Sequence, residues 1–430
     1  MRRRSSTAEL PIDLHRRAAD DYTFRIQDSM HRSSASSQSA ARDTLSTPGL
    51  LLMAVAAGLC AGVNYFNQPL LPAIARDLHA NEASVAFTVT IAQVAYACGL
   101  LLLVPLGDML ERRALAVGLM LLAALGQFIS GFADSLSLLS TGIAVAGLFS
   151  VAAQILVPMA ATLAEPQRRG QAVGVVMSGL LTGILAARSV AGLLAPLGGW
   201  STVYRVAGFA MLVVALLLWR VLPQSRNPSS RPYLQTLASL GTLFRSLPRL
   251  RSRALLGALS FASVSVLFST MALLLAGPGH GMDEVSIGLV GLAGAAGALM
   301  ANVVGRAADR GGAMRASAIA VLLLIASWVA LLWGADSLAC FLGGFVVIDM
   351  ALQGVHISNQ HIVFRLAPEA RARLNAVYMT CYFAGAASGS ALGSFAWQHG
   401  GWPATCAVGG GLGLLTAVAL AHDRRLARRG

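Results

Sequence analysis

Lysine is absent from the 430-residue chain, charged residues of either sign make up only 12%, and cysteines number five. Because every long basic side chain is therefore an arginine, an arginine at a given place says little by itself about guanidinium-specific recognition. The same absence removes the G-x-x-x-x-G-K-[ST] phosphate loop, and with it an ATP-driven pump of that class. So little charge does not suit a soluble domain, where about a quarter of residues are charged. Cys60, Cys98, Cys340, Cys381 and Cys406 all fall in apolar segments without C-x-x-C spacing, which argues against a disulfide framework or a zinc site. No nucleophile and base are recognisably paired, so an enzyme is not expected, and no cofactor is implied.

What the chain does have is hydrophobic residues, 56% of the total. Windows of about 20 apolar residues, enough to cross a bilayer core, fall at 49–71, 84–106, 113–133, 137–161, 171–197, 201–221, 254–276, 286–306, 316–334, 338–363, 374–397 and 402–421. Twelve transmembrane helices are expected in an all-α membrane protein.

Residues 1–47 are rich in Ser, Arg and Asp and read as a disordered tail, with no apolar segment placed as in a cleaved signal peptide. Met30 is an alternative start.

The formal net charge is +13. With the N-terminus inside, the interior breaks hold Arg112, Arg113, Arg168, Arg169, a run of arginines from Arg220 to Arg253, and Arg306, Arg310, Arg315, Arg365, Arg371 and Arg373. The exterior breaks hold only Arg76 and Arg205. The positive-inside rule then places both termini of this multi-pass protein in the cytoplasm. The basic excess is topogenic, so a nucleic-acid partner is not expected.

The longest interior break, 222–253, contains arginines and prolines but no acid, and separates six windows from six. "RGQAV" at 169–173 is echoed by "RLNAV" at 373–377, and the break carrying Asp108 by that carrying Asp309. The expected organisation is a tail at 1–47, a six-helix bundle at 48–221, a cytoplasmic linker at 222–253, a second bundle at 254–421 and a tail at 422–430. Two such repeats are a transporter architecture, with the substrate held near the midplane between them.

Several polar groups stand out against this background. Asn64, Asn67 and Gln68 share a helical face in the first window, next to Pro69 and Pro72, whose missing amide donors free carbonyls. They offer hydrogen bonds either to a polar substrate or to neighbouring helices. Glycines recur at packing distance, among them Gly179 and Gly183, Gly288, Gly291 and Gly294, and Gly385, Gly389 and Gly393, which reads as close helix approach.

The tenth window, "FVVIDMALQGVHISNQHIVF", puts Asp349, Gln353, His356 and Gln360 within about 60° of one helix face. Asp349 lies near the midplane, about 20 Å along the helix from Asp336 at 1.5 Å per residue. By these windows it is the acid inside a span and Arg188 the base deep in one. A charge at that depth costs about 2.5 to 3.5 kcal/mol on insertion scales, so each should face a wet cavity or a partner.

Arg188 then reads as a substrate or charge-balancing group, or as a clamp on neighbouring carbonyls. Asp349 reads as a proton-coupling acid with His356 the next candidate, or as a helix–helix anchor. Metal binding is the weaker reading, since no further strong ligand accompanies Asp349 and His356.

"GRAADRGG" matches G-x-x-x-D-R-x-G through Gly305, Asp309, Arg310 and Gly312, and "VPLGDMLERR" keeps Asp108, Arg112 and Arg113 but has Glu111 in place of a glycine. With "NYFNQPLLPAI", "GILAARSVAG" and "NAVYM", these motifs resemble the major facilitator superfamily, in a bacterial branch close to sugar, purine-nucleoside and drug efflux carriers. The resemblance covers about 49–421.

It implies a monomeric proton-coupled exporter of a small organic molecule. It also implies that Asp108, Arg112, Arg113, Gly305, Asp309 and Arg310 form a cytoplasmic gate. Residues 137–161 lack the arginine usual in the family's drug:proton antiporters, and no proline precedes Pro196 in the fifth window, so drug antiport by those residues is not implied. A proton-driven importer or facilitator shares every one of these features. A non-transporting sensor would need an output module, and none is visible.

Overall fold

Side-chain caps mark where several of the helices begin. The structure, a computed structural model, describes residues 46–225, 232–294, 304, 306, 308–367 and 370–429. Expectations placed on residues 1–45, on 226–231 of the linker, on 295–303 of the eighth window, on Gly305 and on the side chain of Asp309 lie outside the described residues.

Ser46 accepts from the Gly49 amide at 3.2 Å and starts α1, Thr47–Gly62. The chain then leaves the helix through buried turns at 63–67, makes a 3-10 turn at Gln68–Leu70 and re-forms a helix, α2, at Leu71–Asp77. The first window is thus a discontinuous helix. Pro69 and Pro72 cannot donate to a helical ladder, so the break falls where the sequence places them.

Asn81 caps α3, Glu82–Leu102, which continues as a 3-10 turn to Asp108. Glu111 caps α4, Arg112–Gly131, and Ser135 caps α5, Leu136–Phe149, which α6, Ala152–Leu163, extends. Next come α7, Arg169–Leu194, α8, Trp200–Val221, and a helix within the expected linker, α9, Tyr233–Ser246. Then follow α10, Pro248–Ala276, and α11, Glu284–Val290, which tightens into a 3-10 turn at Gly291–Gly294. Three more complete the order: α12, Ala313–Leu332, α13, Leu338–Leu366, and α14, Arg371–Arg429. α14 is two helices merged across a kink at Gly400 and Gly401, where Gly401 has φ 57°.

Among the described residues nine helical stretches are long and apolar enough to cross a membrane, and two shorter apolar helices, Thr47–Gly62 and Glu284–Gly294, accompany them. A helix suits a bilayer because it satisfies every backbone amide and carbonyl within its own segment.

The glycines let backbones touch. Gly179 and Gly183 of α7 lie against Ala54 and Gly58 of α1, and Gly385 and Gly389 of α14 lie against Ala258 and Ala262 of α10. A Cβ at any of these four α7 and α14 positions would overlap a carbonyl of the facing helix. Methyl-free surfaces are what make those two pairs so close.

The halves of the chain meet at the end of the bundle away from the termini. There Arg76 pairs with Glu284, Trp397 donates to Glu82 at 3.2 Å, Ser189 donates to the Gly288 carbonyl at 3.0 Å and Thr90 donates to Ser390 at 2.9 Å. A Cβ on Gly192 would strike the Glu284 carbonyl, so α7 and α11 are in backbone contact at this end.

Candidate functional site

Arg188 and Asp349 come from opposite halves and lie against the same short turn. Arg188, on α7, is buried, and its Cβ and Cδ occupy the space that a side chain at Gly291 would need. Asp349, on α13, is also buried, and its Oδ2 lies 3.5 Å from the Cβ position of Gly294. The 3-10 turn Gly291–Gly294 therefore seats a base on one glycine and an acid on the next but two. These glycines are packing residues, and what they pack against is the charge.

The guanidinium is held by three groups. Arg188 Nε donates to Gln68 Oε1 at 2.6 Å, and its cation lies 4.9 Å from the ring centre of Tyr65 and 4.3 Å from that of Phe268. Its hydrogen-bond partner is a side chain of the broken first span rather than a carbonyl of a neighbouring helix. Aromatic faces stabilise a cation more strongly where water is excluded. Among the described residues no ion pair within 4.0 Å joins Arg188 to Asp349, so neither is consumed by the other in this arrangement.

The unwound stretch beside Arg188 is rich in unused polar atoms. Asn67 Nδ2 donates to Thr88 Oγ1 at 3.2 Å, yet Asn67 Oδ1, Asn64 Oδ1 and Gln68 Nε2 are buried without a hydrogen-bond partner. Asn67 and Gln68 thus bond neighbouring helices with one atom each and leave the other free. Burying such an atom unpaired costs about 1 to 3 kcal/mol, a cost that a bound polar molecule can remove.

The rest of the α13 stripe does not converge on Arg188. His356 Nδ1 lies 3.2 Å from the Tyr378 hydroxyl and its ring sits 4.7 Å from that of Tyr382, while Gln360 Nε2 donates to Asn375 Oδ1 at 3.5 Å. Gln353, three residues before His356 on α13, is half-buried.

One residue off the stripe, Asn359, joins this second cluster to a buried ion pair. Asn359 Oδ1 accepts from Arg253 Nη1 at 3.0 Å, and Arg253 Nη2 donates to Asp423 Oδ2 at 2.5 Å with both side chains fully buried. Arg253 also donates to Ser317 at 3.1 Å.

This corrects the reading of Asp349 and Arg188 as the acid and the base within spans. Arg253 belongs to α10, which begins at Pro248 rather than at 254, and Asp423 extends α14 beyond the expected end at 421. Each charge shields the other, so both helices run past the point where composition turns polar. Removing one partner of a buried pair costs about 3 to 5 kcal/mol because the other is stranded. Asp423→Asn is therefore expected to lower the melting temperature of the purified protein clearly. A melting temperature equal to wild type would show the pair to be energetically idle.

At the termini end, Arg112 and Arg113 bind within their own half. Arg112 Nε donates to the Gly107 carbonyl at 3.1 Å and Nη1 to Thr162 at 2.9 Å, with Asp108 Oδ1 3.9 Å from Nη2. Arg113 Nη1 donates to the Leu222 carbonyl at 2.9 Å, and its guanidinium lies over Trp219.

Glu111, the departure from the glycine of the motif, takes a defined part. It caps α4 through the amides of Arg113 and Ala114 and accepts the Ser225 amide at 2.8 Å, tying the chain after α8 to this corner. Burial pushes its carboxyl up, but these three amides and Arg113 outweigh burial and hold it below the usual carboxylate range. In the second copy of the motif Arg310 is exposed, and Gly311, with φ 82°, turns the chain into α12.

Tyr65, Phe268, Gly291, Gly294, Arg253, Asn359 and Asp423 were not expected at these sites. The G-x-x-G spacing and the position of Asn359 inside "HISNQH" are the signals the sequence carried for them.

A family profile described as Major Facilitator Superfamily matches residues 53–387. The chain is 51% identical over 374 residues to the "Uncharacterized transporter YgaY" of Escherichia coli O157:H7, covering 87% of this chain and 95% of that protein. It is 27% identical over 354 residues to a "Probable sugar efflux transporter" of Helicobacter acinonychis, covering 80% of this chain and 87% of that one. Its backbone is similar to a crystal structure of the nucleoside transporter NupG, with TM-score 0.72 at 13% identity, covering 87% of this chain and 99% of that one. That likeness concerns the fold.

Proposed function

The chain belongs to the major facilitator superfamily, and from that premise we propose that it exports a small organic molecule in exchange for protons by alternating access. The observation that carries the reading is the seating of Arg188 and Asp349 on Gly291–Gly294. A base from one half and an acid from the other are the groups through which substrate and proton can bias one equilibrium.

The substrate would meet Arg188, Asn64, Asn67 and Gln68, with Gln353 and Gln360 on the approach along α13. Asp349 would carry the coupling proton and His356 would serve as the second titrating group. The free atoms of the broken first span support this, since transporter sites form where a crossing helix is interrupted. Export follows the relative whose name is a sugar efflux transporter.

Twelve spans in two six-helix repeats fit the broken first span, the kinked α14 and the matching glycine contacts of α1 with α7 and of α10 with α14. The halves touch at the end away from the termini, as they would in an inward-facing state with the termini in the cytoplasm. Asp108, Arg112, Arg113, Gly305, Asp309 and Arg310 would then close the cytoplasmic side only in the opposite state, which agrees with Arg112 and Arg113 binding inside their own half.

A ligand found by thermal-shift screening of small organic solutes should accumulate in everted vesicles with an acidic lumen. Accumulation in right-side-out vesicles with an acidic exterior would make the protein an importer. Orientation is checked separately with Ser246→Cys, at an exposed position near the end of α9. The thiol is expected to resist an impermeant reagent in intact cells and to react after permeabilisation, whereas ready labelling in intact cells would reverse the topology.

A further inference from the structure

A second site stands apart from the charges at the centre of the bundle. At the termini end, the start of α10, the start of α12 and the end of α13 enclose a cavity of about 310 Å³. Its polar lining is Arg249, His361 and Arg365, and its apolar lining includes Met314, Ile362 and Leu366.

The two arginines are uncommitted. Arg249 Nε is buried without a hydrogen-bond partner, and among the described residues neither Arg249 nor Arg365 has an ion-pair partner. Arg253, one turn further along α10, does not compete for a ligand here, because its guanidinium is engaged by Asp423, Asn359 and Ser317. Among the described residues the two arginines thus have no counterion, and the linker leading into α10 contains no acid to supply one.

The backbone adds to the same field. Gly311, also in the lining, has φ 82° and turns the chain into α12, whose N-cap Gly312 gives no side-chain cap, and the N-cap of α10, Leu247, gives none either. Uncapped first-turn amides carry partial positive charge toward whatever lies in front of them. With two guanidinium groups they favour an anion with several acceptor oxygens, which arginine engages in pairs.

We propose that this cavity binds the phosphate group of an anionic ligand, either the headgroup of an acidic phospholipid or free phosphate. The site is separate from the transport pathway. Its apolar wall of Met314, Ile362 and Leu366 suits a phosphate that carries a hydrocarbon tail. A ligand there would bridge α10, α12 and α13 across the face behind which the Arg253–Asp423 pair is buried.

The test uses the full chain, purified into phosphatidylcholine, and does not depend on which leaflet the cavity faces or on transport. In one arm, phosphatidylglycerol is titrated and retained lipid is read by native mass spectrometry. In the other, millimolar inorganic phosphate is added in phosphatidylcholine alone and the melting temperature is read.

Arg365→Gln, at an exposed position, is expected to weaken binding several-fold, and the Arg249→Gln/Arg365→Gln pair on the order of tenfold or more. Arg251→Gln, an exposed neighbour outside the lining, should bind as wild type. Sensitivity in the first arm identifies a lipid, and sensitivity only in the second identifies free phosphate. The site is refuted if neither ligand's binding responds to Arg365→Gln or the pair, or if Arg251→Gln reduces it equally. Should the pair fail to fold, Arg365→Gln alone decides.

Discussion

Asp349→Asn is expected to abolish concentrative transport driven by a pH gradient while leaving substrate exchange at equal pH close to wild type. Asparagine keeps the size of the side chain and its capacity for hydrogen bonds beside Gly294, so the packing of α13 on the Gly291–Gly294 turn should survive. What it cannot do is ionise. In a buried setting the charged carboxylate is disfavoured by lost hydration and favoured by a nearby cation, so its protonation depends on wetness and on the distance to Arg188. Those two quantities change when the halves rock, which is how a proton can be tied to one conformation.

A ligand shifts an equilibrium only by its differential affinity for the two states. Removing the titrating group removes that differential for the proton and leaves the substrate's. The accumulation ratio in everted vesicles should therefore collapse toward unity, a loss on the order of tenfold for each pH unit of gradient if one proton is exchanged per substrate. Wild-type accumulation by the Asn variant would move the coupling role elsewhere, with His356, beside Tyr378, the next residue to substitute.

The sequence makes the helices legible because lipid leaves the backbone few options, and apolar length is a direct consequence. It makes Asp349 and Arg188 legible for the converse reason, since charge deep in an apolar run is expensive enough to need a use. It does not reveal that both rest on Gly291–Gly294. A glycine's neighbour is a tertiary fact, and G-x-x-G spacing is equally suited to a helix, a lipid or a side chain.

Arg253 and Asp423 show a different limit. Hydropathy scores each as a hydrophilic residue at the edge of a window, so the windows are bounded at 254 and 421, whereas the buried pair carries both helices further. Pairing across 170 residues has no local trace. Glu111 shows a third: judged against a motif it is a departure, and judged by its bonds it is a helix cap that also holds Ser225. α9 is hidden because its 14 residues are too short for a span and lie in the break at 222–253, although its buried Thr236 and Leu240 are four residues apart and share one helical face.

Arg188→Ala is expected to lower transport on the order of a hundredfold or more, with a smaller loss of thermal stability than Asp423→Asn, because a guanidinium with open donors facing polar atoms contributes more to recognition than to packing. Among the described residues its side chain makes one hydrogen bond, from Nε to Gln68, which leaves the two Nη groups to a substrate, and the rings of Tyr65 and Phe268 hold the cation's orientation. Alanine also vacates the space over Gly291, so some loss of stability is unavoidable, and the informative quantity is the ratio of the two effects.

Arg188→Lys separates charge from geometry. An ammonium can sit between the aromatic rings but cannot bond Gln68 along one edge and present a planar pair of donors along the other. If transport by the Lys variant equals wild type, Arg188 acts through charge alone and serves to balance Asp349. In that case Arg188→Ala combined with Asp349→Asn should be less harmful to stability than the sum of the two changes, since removing both charges strands neither. Additive losses in stability, together with an inactive Lys variant, would instead assign the guanidinium to the substrate and leave Asp349 to the proton.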